Sequence, residues 1–155
     1  WTTTNARRNA NLEYLSEALQ PMGFETFQAP AHVRRTYFEF LIRHDETRTG
    51  LPLPRLIQAL QAEGCEAALP RYPLLHQQPF FTEGHFLRIA RFPSEGFVPP
   101  VYRPDALPHT EAASQTLLKL PSFPNAEREL LDQYVLAFRK VLSRARELRA
   151  VPHKR

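Results

Sequence analysis

Cysteine occurs once in this 155-residue sequence, at Cys65, which excludes an internal disulfide and any cysteine-rich zinc site. One thiol suits a reducing compartment, so a cytoplasmic location is expected. Glycine is also scarce, five residues in all, and no Gly-rich loop of the kind that cradles a phosphate is present. Neither the His-Glu-x-x-His pair of zinc hydrolases nor the Gly-x-Ser-x-Gly nucleophile elbow occurs. The six histidines are scattered. His76 and His85 stand nine apart, a poor metal-ligand spacing, and no metal is expected. Apolar runs such as Phe40-Leu41-Ile42 are far too short to cross a bilayer, so no membrane partner is expected. The opening residues, Trp1-Thr2-Thr3-Thr4-Asn5, are polar and do not begin with Met. The expectation is an absent natural start and no secretory signal.

What the chain does contain is a basic excess and enough apolar residues for a core. Net charge is +4 and the pI is near 9.6. The bases are dispersed as Arg7-Arg8, Arg34-Arg35 and Arg144, Arg146, Arg149, with acids such as Glu127, Glu129 and Asp132 among them. Aromatic residues do not alternate with the bases as a stacking platform requires, so nucleic acid is not an expected partner. The hydrophobic fraction is 43%. A chain of this length buries roughly two-thirds of its unfolded surface and reads as one domain, or one domain with an appendage.

Leu12, Leu15 and Leu19 repeat at three- and four-residue spacing, which predicts a helix over about 5–20, stopped by Pro21 and Gly23. Thr36 to Ile42 reads as a strand, with Phe38, Phe40 and Ile42 on one face and Tyr37, Glu39 and Leu41 on the other. Polar residues follow to Gly50. A second helix is predicted over 53–63 with Gly64 as its stop, and 65–69 as a returning strand that makes a β-α-β unit. Ten of the fifteen prolines lie after position 70. Proline removes a donor and fixes φ, so 70–108 reads as a long functional loop, with a short helix over 82–91. Its aromatics, Tyr72, Phe80, Phe81, Phe86, Phe92, Phe97 and Tyr102, argue for order. A helical turn or two over 111–116 and a strand over 117–120 come next. The last element is a long helix, capped by Asn125 and ended by Pro152, with Leu130, Leu131, Tyr134, Val135, Phe138, Val141, Leu142, Ala145 and Leu148 on its periodic face.

Several segments carry information through their order. They are the basic helix Arg8-Asn9-Ala10-Asn11-Leu12-Glu13-Tyr14-Leu15, the strand Tyr37-Phe38-Glu39-Phe40-Leu41-Ile42-Arg43, and the helix around Leu56 to Gly64. Then come Arg71-Tyr72-Pro73-Leu74-Leu75-His76-Gln77-Gln78-Pro79 and Leu117-Leu118-Lys119-Leu120-Pro121-Ser122-Phe123-Pro124. In this order they resemble the C-terminal part of the DegT/DnrJ/StrS aminotransferases, which modify keto-sugars and cyclitols. The resemblance runs from about Arg7 to Arg149.

The resemblance implies an α/β fold class, more closely the α+β small domain of the aspartate-aminotransferase fold. Its small sheet packs on helices and a long C-terminal helix closes it. Residues 1–155 would be that small domain, with an N-terminal cofactor-binding domain missing. It further implies a homodimer using pyridoxal phosphate, bound by the missing large domain through a lysine upstream of this chain. Lys119, Lys140 and Lys154 match other positions, so no catalytic or cofactor-binding residue is expected here. The implied reaction moves an amino group from glutamate or glutamine to a keto-sugar or keto-cyclitol, and the chain alone is expected to be inactive. The alternative is a non-catalytic binding or regulatory module of the same fold. Candidate substrate-binding residues are Arg71, His76 and Tyr72. Arg71 could clamp a carboxylate or phosphate, and it reads equally as a surface loop residue, since common members carry His there. His76, held between prolines, could bond sugar hydroxyls or a phosphate. Tyr72 reads first as packing.

Overall fold

The computed structural model describes residues 2–27, 29–30, 32–85 and 106–150. Two compact units result: Trp1–Leu69 with Thr116–Arg155, and Pro70–Gln115. The first contains α1 (Thr2–Leu19), β1 (Phe24–Thr26), β2 (Phe40–His44), α2 (Glu46–Thr49) and α3 (Leu53–Ala62). The second contains α4 (Pro79–Thr82) and nearly all of α5 (Pro108–Thr116). The chain then returns to the first unit with β3 (Leu117–Leu120), α6 (Arg128–Ser143) and α7 (Ala145–Ala150). This is the mixed α/β arrangement expected, a three-stranded sheet with helices.

The core of the first unit follows the periodicities of the sequence. Leu12, Leu15 and Leu19 of α1 are wholly buried. So are Leu56 and Leu60 of α3 and Phe138 of α6, with Leu131, Tyr134, Val135 and Val141 nearly so, whereas Leu130, expected on the same face, is exposed. Phe24 meets Phe138 edge-on, ring centroids 5.0 Å apart and planes at 85°, a favoured aromatic arrangement. Burying a side chain of this size is worth about 1.5–3 kcal/mol, so these stripes outweigh any single ion pair on the surface.

The sheet is antiparallel in the order β1-β2-β3. Its register sets Ile42 opposite Leu118 and Phe40 opposite Leu120. That register corrects the strand expected over 36–42, which starts instead at Phe40 and runs to His44. The partner strand gives out at Leu120, because Pro121 has no N–H to continue the ladder. Phe38 therefore does not share the core face of Phe40 and Ile42; it is 72% exposed.

Other expectations shift for local reasons. Residues 65–69 contribute a single bridge, Ala68 to Lys119, rather than a strand, so no β-α-β unit forms. The polar stretch before Gly50 holds α2, whose first turn is capped by the Asp45 carboxylate accepting from Thr47 N–H at 2.8 Å. Asn125 does not cap α6; the residue preceding that helix is Glu127, with no side-chain cap. The closing helix is broken at Arg144, which separates α6 from α7. Of the short helix expected over 82–91, Thr82 is the last residue of α4, and positions 86–91, like Pro152, lie outside the described residues.

Candidate functional site

The Pro-rich segment positions its side chains through short, stiff pieces. Leu74 is extended, Leu75–Gln77 forms one 3-10 turn, and Gln78 is extended again before Pro79 opens α4. Proline at the first helical position costs no hydrogen bond, since that N–H would be unpaired. Gln77 N–H donates to the Leu74 carbonyl at 3.0 Å, and Thr82 N–H to that of Gln78 at 3.0 Å. The turn is thus fixed on both sides of His76.

His76 is 6% exposed, an unusual degree of burial for an imidazole on so short a turn. Its Nε2 lies 3.3 Å from Oε1 of Glu111, in the first turn of α5. In the tautomer protonated at Nε2, the imidazole donates and the carboxylate accepts. The Glu111 side chain keeps about a quarter of its surface, 23%, so the pair is shielded on the histidine side and wetter on the other. Beside it lies an open cavity of about 220 Å³ lined by Leu75, His76, Phe81, Leu107 and Thr110. The lining joins an apolar wall to one imidazole and one hydroxyl. Sites of this kind orient a small polar ligand against an apolar surface.

Of the three residues nominated from sequence, only His76 lines this cavity. Arg71 and Tyr72 sit at a bend and are exposed, Tyr72 at 65%, so its ring is not packing in place. Glu111 escaped sequence reasoning because it stands 35 positions from His76. An acid in the first turn of a helix is ordinarily explained by the helix dipole alone.

Among the described residues no three His, Cys, Asp or Glu side chains gather as metal ligands. No described helix is long and apolar enough to cross a membrane. Two of the three lysines are described, and both stand near carboxylates. Lys119 lies 3.8 Å from Glu39, and Lys140 donates to Glu63 at 2.6 Å. Lys154 lies outside the described residues.

Comparison with known proteins places the chain among relatives. The model of the DegT/DnrJ/EryC1/StrS aminotransferase family matches residues 2–139. Among solved structures, DesI, determined in the presence of its TDP-sugar product, is 22% identical with a TM-score of 0.68. It covers 94% of this chain and 33% of its own. A DegT DnrJ EryC1 StrS aminotransferase from Brucella abortus is 21% identical with a TM-score of 0.62, over 88% of this chain and 30% of its own. Spr1654 from Streptococcus pneumoniae, in its PMP form, is 17% identical with a TM-score of 0.65, over 94% and 32%. The chain thus spans about a third of the length of the structures it matches.

Proposed function

Because this chain belongs to the DegT/DnrJ/EryC1/StrS aminotransferase family, we propose that it forms the substrate-covering part of a pyridoxal-phosphate-dependent transaminase. The reaction is transfer of an amino group from glutamate or glutamine to a keto-sugar or keto-cyclitol. The cofactor supplies the electron sink for that exchange, and it is held by residues outside this chain. The Schiff-base lysine lies outside this chain as well, so the chain alone is inactive. The intact enzyme works as a homodimer in the cytoplasm.

The observation that carries the reading is the buried His76, paired with the half-buried Glu111, beside a small, largely apolar cavity. A keto-sugar or cyclitol offers apolar ring faces and several hydroxyls. Leu75, Phe81 and Leu107 suit the former, and His76 and Thr110 suit the latter. Glu111 orients the imidazole so that its ring does not have to be ordered when the acceptor arrives. Arg71 and Tyr72, exposed at the bend before the turn, are placed to meet a charged or extended portion of the acceptor.

The test is a holoenzyme assay with a panel of keto-sugars and keto-cyclitols and either donor. His76→Ala should lower turnover of the acceptor about tenfold or more, the worth of one good hydrogen bond, with cofactor absorbance unchanged. Unaltered kinetics would remove His76 from the site. A lysine-dependent absorbance band on adding pyridoxal phosphate to this chain alone would overturn the placement of the cofactor. No transamination with any acceptor would favour the non-catalytic module instead.

A further inference from the structure

A second pocket lies within the first unit, on the outward side of α1, and it is built differently. It is a groove of about 210 Å³ whose lining includes Asn9, Glu13 and Ser16 from α1 and Val33, Arg34 and Tyr37 from the segment before β2. Positions 9, 13 and 16 are spaced four and three apart, so they share one helix face. That volume is below the range of drug-sized pockets. A small metabolite is the matching scale.

The polar groups divide by charge. On the helix side stand three acceptors. The Asn9 amide nitrogen donates to the Arg35 carbonyl at 3.0 Å, which fixes the amide and leaves its Oδ1 as acceptor. That oxygen is buried without a hydrogen-bond partner among the described residues. Ser16 Oγ donates inward to the Leu12 carbonyl at 2.7 Å, so its lone pairs remain to accept. Glu13 has no ion pair among the described residues, and neither does Arg34 on the opposite wall. The Arg34 wall is held in shape by its neighbour: the Arg35 guanidinium donates to the Phe27 carbonyl and stacks 4.2 Å from the Tyr37 ring. A buried acceptor left unpaired is costly, and such groups in native structures usually await a ligand or water.

Three acceptors across a small, partly apolar groove from a guanidinium that has no ion pair among the described residues call for a ligand with an ammonium at one end and a carboxylate at the other. We propose that the groove between α1 and the stretch that presents Phe27, Val33, Arg34 and Tyr37 binds a free α-amino acid. Asn9 Oδ1, Glu13 and Ser16 receive the ammonium, Arg34 the carboxylate, and Val33 with Tyr37 the side chain. The assignment does not rest on the transaminase reading, and it needs no cofactor to test.

Calorimetric titration of the full chain with L-leucine, L-glutamine and L-glutamate decides it, each run beside its N-acetyl and its α-amide derivative. At least one free amino acid should bind saturably, and both of its blocked forms about tenfold more weakly, as expected for losing a charge-assisted contact. Arg34→Gln should weaken the free amino acid and leave its α-amide unchanged. Glu13→Gln should weaken the free amino acid and leave its N-acetyl form unchanged. Both side chains are exposed, and unchanged circular dichroism verifies the fold of each variant. No binding of any free amino acid, or equal binding of the blocked forms, overturns the proposal.

Discussion

At the scale of single residues, burial decides what each polar group can do. His44 ends β2, is 4% exposed, and holds its Nε2 2.7 Å from Thr49 Oγ1, with the Phe24 ring at 6.0 Å. Burial pushes its pKa below the ordinary 6.5, although Glu46 and Asp45 nearby pull the other way. The folded imidazole therefore stays neutral at pH values where the unfolded chain already takes up a proton. The unfolded state binds more protons there, so stability is full above about 6.5 and is lost as pH falls toward the lower folded value. Urea midpoints measured from about pH 7.5 down to about pH 5 should decline more steeply for the native chain than for His44→Gln; equal slopes would contradict this. Cys65 behaves in the same spirit: burial, with Glu63 adding, pushes its thiol up to about 11. The lone cysteine of the sequence is thus an inert core residue rather than a reactive one. None of this was legible in composition, since a histidine in a polar-looking sequence carries no mark of the burial that awaits it. His76 was singled out because prolines flank it, yet its carboxylate partner comes from a helix whose pairing only the folded chain discloses.

At the scale of elements, periodicity carried most of the fold. The leucine stripe of α1, the apolar face of α3 and that of α6 were readable because a helix must repeat its buried positions every three to four residues. Strands were harder. β1 has three residues and offers no alternation to count, and β2 is displaced because Pro121 on its partner sets where pairing stops. The turn between α1 and β1 was marked by Pro21 and Gly23, and here the structure adds a magnitude. Gly23 has φ +100°, and a Cβ there would stand 3.0 Å from Cβ of Arg48 and 3.2 Å from Cγ2 of Thr49. Gly64 has φ +87° with open space around it. Gly64→Ala should cost about 1 kcal/mol for the left-handed backbone alone. Gly23→Ala should cost clearly more, because α2 must also move aside. Urea unfolding of both variants separates the two contributions, and equal losses would show that the close approach to α2 carries no weight.

At the scale of the whole molecule, the core is assembled from the two ends of the chain. Among the described residues, every member of the main hydrophobic cluster comes from before Leu69 or after Thr116. The segment between them carries His76 and its cavity, and its described side chains are not members of that cluster. The entry and exit of the segment are already neighbours. Ala68 N–H donates to the Lys119 carbonyl at 3.0 Å, and Lys119 N–H to that of Ala68 at 2.8 Å, an antiparallel bridge. Antiparallel neighbours can be joined by a turn of roughly two to five residues. Replacing Pro70–Gln115 with a short Asn/Gly turn should therefore leave the first unit folded. Shortening the connection by more than three doublings of length also removes about 2 kcal/mol of closure entropy, which offsets any packing lost at the cut. The excised chain should keep its helical circular dichroism and a cooperative thermal transition within several degrees of the parent. It should also retain the groove on α1 while losing every property assigned to His76. A noncooperative transition would mean that the core depends on the segment after all.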